Sequence, residues 1–432
     1  MFSYTESLPD GWHYTQLGNK ASIKARLGWK GLKADEYVDV GFIFLATPNL
    51  KGYQIDFNNV NYISERRYLE SPEIMLQSGD VLLVKDGSTL GIVNIVRHLP
   101  APTTVNSSIA VIRPKENLYG LYLYFYIQGQ SFQDEIVRMK GGLGVPHLFQ
   151  ADLKDFSIPL PSLPEQQKIA EILDAIDKAI ALTDTHITKL KKAKAGLLHD
   201  LLTRGIDEHG ELRDYTRNPE LFKRSALGII PKDWDLYSLE DCVKPNALIT
   251  YGIVQAGPHI ANGVPYIRTG DMTGNHLKIE NLLRTSPRIA ALYGRSTVRT
   301  GELVCAIRAT VGKVLEVPPE LDGANLTQGT ARISPREDVN THFLLWSFMS
   351  ELVKQQIISV VKGTTFAEIT LQQLRKLKII IPQDKIEQDK IAAILDTQEA
   401  HICKQEVRRE KLKLLKKGLM SDLLTGRVRV KI

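Results

Sequence analysis

Nearly the same words occur twice in this chain, 222 residues apart, and that repeat constrains the fold more than any other feature. EQQKIAEILD at 165–174 returns as EQDKIAAILD at 387–396, with 8 of 10 positions identical. GLLHDLLT at 196–203 returns as GLMSDLLT at 418–425. Leu8-Pro9-Asp10-Gly11-Trp12 lines up with Ile230-Pro231-Lys232-Asp233-Trp234 at the same offset. A period this long marks a duplicated domain pair, not a solenoid unit of about 20–50 residues. The helix-like segments match closely and the bodies between them match poorly. That is the pattern of one scaffold carrying two different reading heads.

At 432 residues the chain holds two or three domains with ample core. Its longest apolar runs, such as 119–127 and 377–382, are far below the roughly 18–20 residues of a membrane span. The opening MFSYTESLPDGW lacks a basic region followed by an apolar one, so no signal peptide is expected. Cys242, Cys305 and Cys403 are odd in number and scattered, which fits reduced thiols in a cytoplasmic protein and no zinc framework.

By pattern the chain divides into a first body at 1–161, a first helix at 162–205, a connector at 206–229, a second body at 230–382, a second helix at 383–426 and a tail at 427–432. The first body mixes short β-like runs (42–46, 80–84, 92–96, 109–112) with turns at 78–80, 86–87 and 141–142. One helix is expected over 118–138. The second body echoes the first, with 263–269 answering 41–47 and 300–302 answering 78–80. It loses one residue of register just after Thr310, so that Pro335 answers Pro114.

In the first helix Ile169, Leu173, Ile176, Ile180, Thr183, Ile187, Leu190, Lys194, Leu197 and Leu201 are spaced alternately by four and three. This is a heptad seam, interrupted only at Thr183 and Lys194. The second seam, Ile391, Leu395, Ile402, Leu412, Leu419 and Leu423, is weaker because Gln398, Gln405, Arg409 and Lys416 intrude. Both helices are acid-rich early (Glu165, Glu171, Asp174, Asp177; Asp384, Glu387, Asp389, Asp396, Glu399). Both are base-rich late (Lys189, Lys191, Lys192, Lys194; Arg408, Arg409, Lys411, Lys413, Lys416, Lys417). An antiparallel pair sets acid on base, whereas a parallel pair stacks like charges. The expected fold is therefore α+β: two similar bodies joined and separated by two long helices that form an antiparallel coiled coil.

No catalytic constellation emerges. In Gly87-Ser88-Thr89-Leu90-Gly91 the serine stands one place too early for a nucleophile elbow, and the segment reads as a turn. IRATVGKV at 307–314 lacks the glycine spacing and the Ser/Thr of a P-loop. Lys140-Gly141-Gly142-Leu143-Gly144 reads as a loop facing DNA or solvent. The ten histidines form no HExxH and no Cys/His ligand set. Pro318-Pro319, between Val317 and Glu320, is no aminomethyltransferase box.

Polyanion contact is the remaining chemistry. The net charge of +6 permits it. Residues 1–163 carry 15 basic and 16 acidic side chains, a balance that argues against DNA binding by charge alone. Residues 230–383 carry 17 and 14, and the segment 268–313 carries 8 and 3. Candidate contacts in the first body are Asn58, Asn59, Asn61, Arg66, Arg67, Lys85, Arg97 and Lys140. Those in the second are Arg268, Arg284, Arg288, Arg295, Arg299, Arg308, Lys313 and Lys362. Arginine suits phosphate and guanine, and asparagine suits adenine. For any single one of them, ordinary surface solvation is the better reading.

The order of segments resembles a known family: an IP-x-x-W-like opening, a variable body, IPLPSLPEQQKIAEILD at 158–174, LLHDLLTRG at 197–205 and a connector, all then repeated. It is similar to the DNA-specificity (S) subunit of type I restriction-modification enzymes, over essentially the whole chain. The second copy departs at its helix entry, where IPQDKIEQ replaces the Pro-Leu-rich form. The resemblance implies that each body is a target recognition domain reading one half of a split site in double-stranded DNA. It implies that the coiled coil sets the distance between the halves. It also implies docking of two modification (methyltransferase) subunits and of restriction (translocase/nuclease) subunits. S-adenosylmethionine, ATP and Mg would then belong to those partners, with adenine N6 methylated after base flipping, and this chain would be non-catalytic. Two other classes stay open at this point: a self-sufficient DNA methyltransferase, and a coiled-coil tether without a DNA role.

Overall fold

The structure, a computed structural model, describes residues 8–26, 32–139, 147–361 and 367–432. The chain folds as two units, Met1–Ile187 with Gln405–Ile432, and Thr188–Lys404. In the first unit the elements run β1 (His13–Gln16), α1 (Leu17–Lys20), β2 (Ala21–Ala25), β3 (Phe42–Leu45), β4 (Asn61–Ile63), α2 (Glu65–Leu69), β5 (Val81–Val84), β6 (Val93–Ile95), β7 (Thr103–Val105) and β8 (Ile109–Pro114). There follow α3 (Gly120–Gln128), α4 (Gln130–Met139), α5 (Gln150–Asp155), β9 (Ser157–Leu160) and α6 (Leu163–Thr203), whose second half belongs to the other unit.

One sheet has the order β2-β8-β5-β6 and a second β4-β3-β7, while β1 pairs antiparallel with β9. Strand β5 is buried at all four positions, so its apolar run needs cover on both faces. Val81 and Leu83 face the core built with α3, α4 and the helix ends, and Leu82 and Val84 face the core toward the second sheet. This is the two-residue alternation of a strand.

The second unit repeats the plan. After a hairpin of β10 (Phe222–Ser225) and β11 (Gly228–Pro231) come β12 (Trp234–Ser238), β13 (Thr250–Tyr251), β14 (Val264–Ile267), β15 (Met272–Thr273), β16 (His276–Leu277), β17 (Arg284–Thr285) and α7 (Pro287–Leu292). Then follow β18 (Leu303–Ala306), β19 (Val314–Glu316), β20 (Asn325–Leu326), β21 (Thr330–Ile333), α8 (Thr341–Met349), α9 (Glu351–Val360), α10 (Leu371–Arg375), β22 (Lys378–Pro382) and α11 (Lys385–Leu423). The sheets are β13-β21-β18-β19 and β17-β14-β20, with β12 on β22. A parallel strand pairing also recurs, β3 with β7 and β14 with β20. Bodies that match poorly in sequence therefore share one topology.

The helix expected over 118–138 is two helices. Gly129 is extended (ψ 149°) and so is its counterpart Ser350 (ψ 151°). Helix α3 is buried nearly all round, while α4 is amphipathic, and one straight helix cannot serve both environments. Gln133 Nε2 donates to the Ile127 carbonyl at 2.8 Å, satisfying an acceptor that the break releases. At the junction of the connector and the second body, residues 222–231 form the β10–β11 hairpin.

Each body is locked to a helix start by a Glu-Gln pair. Trp12 Nε1 donates to Glu165 at 3.1 Å, and Trp234 Nε1 donates to Glu387 at 3.0 Å. An arginine closes each carboxylate: Arg429 at 2.6 and 2.9 Å on Glu165, Arg213 at 2.6 and 3.2 Å on Glu387. Gln166 accepts from Tyr119 N–H and donates to the Asn117 and Pro161 carbonyls. Gln388 does the same with Asn340, Asp338 and Pro382. Two or three residues past each helix end stands a glycine in the left-handed region, Gly205 (φ 66°) and Gly426 (φ 73°). A Cβ on Gly205 would lie 2.5 Å from Glu387 Oε1 and 2.7 Å from the Trp234 ring, and one on Gly426 would lie 2.4 Å from Pro9. Glycine is thus required twice over, by conformation and by space.

The two long helices pair antiparallel within each unit. In the first, Asp177 meets Lys416 at 2.6 Å and Asp184 meets Arg409 at 3.4 Å. In the second, Lys194 meets Glu399 at 2.5 Å. Asp177–Lys416 and Glu399–Lys194 are the same pair under the repeat. Lys194 and Lys416, which read as flaws in the apolar seams, carry the cross-helix ion pairs. Of the seam positions, Ile169, Leu173, Ile187, Leu201, Ile391, Leu395, Ile402 and Leu423 are buried, and Ile176, Ile180, Leu190, Leu197, Leu412 and Leu419 are half-buried. Glu165, Asp174, Glu387 and Asp396 face the bodies, so only part of each acid-rich half serves the pairing.

Replacing Glu387 with Ala leaves the buried Trp234 indole N–H unpaired and Arg213 with only the half-exposed Asp233 at 2.9 Å. The expected cost is about 3–5 kcal/mol in the second unit, read as a lower urea midpoint and faster hydrogen exchange over 385–395. Glu387→Gln keeps an acceptor for Trp234 and should cost less.

Candidate nucleic-acid interface

In the first body the candidate contacts fall into two groups. Arg97 is spent internally. It donates to Asp174 at 2.8 Å and to the Tyr53 carbonyl at 2.9 Å, and its guanidinium stacks on Tyr53 and Tyr124 at 4.4 and 5.3 Å. Burial opposes its charge, but the Asp174 hydrogen bond raises its pKa. Lys85 is buried with Nζ 2.8 Å from Asp86. Arg67 pairs with Glu36 at 3.1 Å and also with Glu70. Asn58 and Asn59 wrap Asp56, at 2.8 and 3.0 Å, in a small exposed turn. Asn61 on β4 and Arg66 on α2 are exposed. Lys140, the glycine-rich loop after it and Lys362 lie outside the described residues.

In the second body Arg268 is fixed bidentate on Asp271, both contacts at 2.9 Å. Lys313 donates to the Met272 carbonyl at 2.9 Å and Arg284 to the Gly263 carbonyl at 3.0 Å. Arg299 pairs with Asp322 at 3.3 Å. Arg288 and Arg295 are exposed. Arg308 is half-exposed and pairs with Glu368 at 2.9 Å.

Arg308 marks a place found in both bodies. Past the end of β18 the chain makes an isolated antiparallel bridge, Arg308 to Glu368, and past the end of β5 it makes the bridge Asp86 to His147. Asp86, His147 and Glu368 are not evident as site residues in the sequence. The signal was the register itself, since subtracting 222 from Arg308 gives Asp86. No group of three or more His, Cys, Asp or Glu able to hold a metal occurs among the described residues. Burial pushes the Cys242 and Cys305 thiols up to about 12, so neither is a nucleophile near neutrality. Among the described residues no helix is long and apolar enough to cross a membrane.

The ILD aspartates anchor each body differently. Asp174 takes Arg97 and the Tyr53 hydroxyl. Asp396 takes Trp346 Nε1 at 2.8 Å and His342 Nδ1 at 2.6 Å, and His342 Nε2 lies 3.1 Å from Glu316. The Glu316 hydrogen bond, outweighing burial and helped by Asp396, raises His342 to about 9.

A family model described as the type I restriction modification DNA specificity domain matches residues 27–192 and again 231–413. The chain is similar to the type I restriction enzyme MjaVIII specificity subunit of Methanocaldococcus jannaschii, 26% identical over 98% of this chain and 94% of that protein. It is similar to the EcoBI specificity subunit of Escherichia coli, 26% identical over 87% of this chain and 77% of that protein. In fold it resembles the S subunit of a type I restriction-modification system from M. genitalium, with a TM-score of 0.60 at 14% identity over 100% of this chain and 99% of that one.

The raised His342 pKa sets a pH dependence. The bridge stabilises the second unit fully below the ordinary value of 6.5 and is lost as pH rises through about 9. The difference in Tm between the native chain and His342→Gln should be largest near pH about 6 and should close by pH about 10. A gap that widens with pH would refute the charged bridge.

Proposed function

Because the chain belongs to the type I restriction-modification DNA specificity domain family, we propose that it chooses the DNA site for such an enzyme and assembles the subunits that act there. The observation that carries the reading is one strand order built twice with different surface residues, each copy clamped to a helix by the same Trp-Glu-Arg set. Two such heads suit an asymmetric site in two halves. The common clamp lets a body change its surface without disturbing the scaffold. Neither head needs to bind tightly alone, since two linked weak modules gain avidity.

In this reading two modification subunits bind S-adenosylmethionine and methylate adenine N6, and restriction subunits add ATP- and Mg-dependent translocation and cleavage. This chain contributes the address and the assembly and carries out no chemistry itself. The phosphate grip that the near-neutral first body lacks would come from the modification subunits. A free-standing tether is disfavoured by the duplicated bodies, whose topology is held constant while their exposed residues vary.

Exchanging residues 8–160 for the first body of another family member, in an enzyme assembled with its modification subunit, should change one half of the methylated sequence and leave the other intact. A change in both halves, or in neither, would overturn the reading. The purified chain alone should transfer no methyl group from S-adenosylmethionine to DNA. Transfer without a partner would identify a self-sufficient methyltransferase.

A further inference from the structure

The bridges past β5 and β18 are one backbone feature built twice with opposite side chains. Lys85 N–H donates to Ser108 O at 2.8 Å, and Lys85 O accepts from Leu148 at 2.9 Å. Ile307 N–H donates to Gly329 O at 2.9 Å, and Ile307 O accepts from Ile369 at 3.0 Å. A left-handed residue follows each bridge, Gly87 at φ 81° and Ala309 at φ 60°. Alanine enters that region only at a cost, so the surrounding fold imposes the turn. On this shared frame the first body carries Asp86 and His147, and the second carries Arg308 and Glu368. None of the four is packed away: side-chain exposure is 25% and 38% in the first pair and 44% and 46% in the second.

We infer that these two bridges are specificity-determining, base-reading positions. Arg308 takes the major-groove edge of a guanine in the half-site read by the second body. His147 takes the exocyclic amino group of an adenine or cytosine at the corresponding place in the other half-site. The inference rests on the DNA-specificity reading above.

The chemistry follows from how each side chain is held. Arg308 donates Nε and Nη2 to the same Glu368 oxygen, at 3.0 and 2.9 Å. One edge of the guanidinium is buttressed, and its planar end keeps donors for a guanine O6 and N7. In the first body Asp86 accepts from Lys85 Nζ at 2.8 Å and also from His147 Nδ1. When Nδ1 carries the ring's single proton toward that carboxylate, Nε2 is left as an acceptor. An acceptor in the major groove matches adenine N6 or cytosine N4. Phe149 packs edge-on against the imidazole with ring centroids 4.4 Å apart. A cavity of about 570 Å³, lined in part by Arg26, Lys85 and Phe149, opens beside the pair and gives a base edge room to enter.

The test uses the full chain assembled with its modification subunit in a host whose methylated adenines are sequenced. Arg308→Lys keeps the charge but loses the fork. It should relax one guanine position in the second half-sequence, with discrimination falling about 10- to 100-fold, and leave the first half unchanged. His147→Leu should relax one adenine or cytosine position in the first half only. Glu368→Gln, a milder change, should weaken the same guanine position as Arg308→Lys. Unchanged discrimination in both Arg308→Lys and His147→Leu overturns the inference, as does relaxation of the wrong half. If a variant gives no methylation, Glu368→Gln decides for the second body and His147→Gln for the first. Exchange of residues 8–160 serves as the control. If exchange changes nothing, the specificity reading fails; if exchange changes its half while the point variants change nothing, only the present inference fails.

Discussion

Within each unit one buried carboxylate, Glu165 in the first and Glu387 in the second, draws distant parts of the chain together. Each accepts a tryptophan N–H from the opening of a body and a bidentate arginine from the segment after a helix. A charge buried to this degree is tolerable only when fully partnered. The site therefore demands that three distant parts of the chain arrive together. In the first unit those parts are residues 12, 165 and 429, and in the second they are residues 234, 387 and 213. The glycines that close the helix ends, Gly205 and Gly426, leave the space the clamps occupy.

With each body anchored in this way, its surface is free to vary. The four-stranded sheets keep one order because β5 and β18 are buried on both faces and must alternate between two cores. The polar residues at the ends of those strands carry no such packing duty. Asp86 and Arg308 stand on equivalent backbone with opposite charge. A fold whose core fixes the frame and whose strand ends carry the chemistry can change its address without changing its stability much.

The helices divide their charges between two tasks. Asp177 and Glu399 bind the lysines of the facing helix, while Glu165, Asp174, Glu387 and Asp396 turn toward the bodies. Lys194 also lies 4.7 Å from the Trp346 ring and Lys416 lies 5.6 Å from Phe125. Each lysine thus ties a helix to a partner helix and to a body at once, which explains why a cation sits at that seam position in both helices.

The sequence by itself determined the duplication, the two long helices, their antiparallel sense and the family, because repeats, heptads and charge halves are local and periodic. It also placed strands at 42–46, 80–84, 92–96 and 109–112, each overlapping an observed strand, where apolar runs are bounded by turns. Only the tertiary structure decided which charges are structural. Arg97 looked like a surface cation, yet it is held by Asp174, 77 residues along the chain, and sequence spacing carries no information on who meets whom across a fold. The break at Gly129 escaped for a similar reason, since the change from a fully buried helix to an amphipathic one depends on neighbours far along the chain. The Asp86–His147 bridge joins residues 61 apart, and its equivalence to Arg308–Glu368 exists only once both bodies have folded on the same frame.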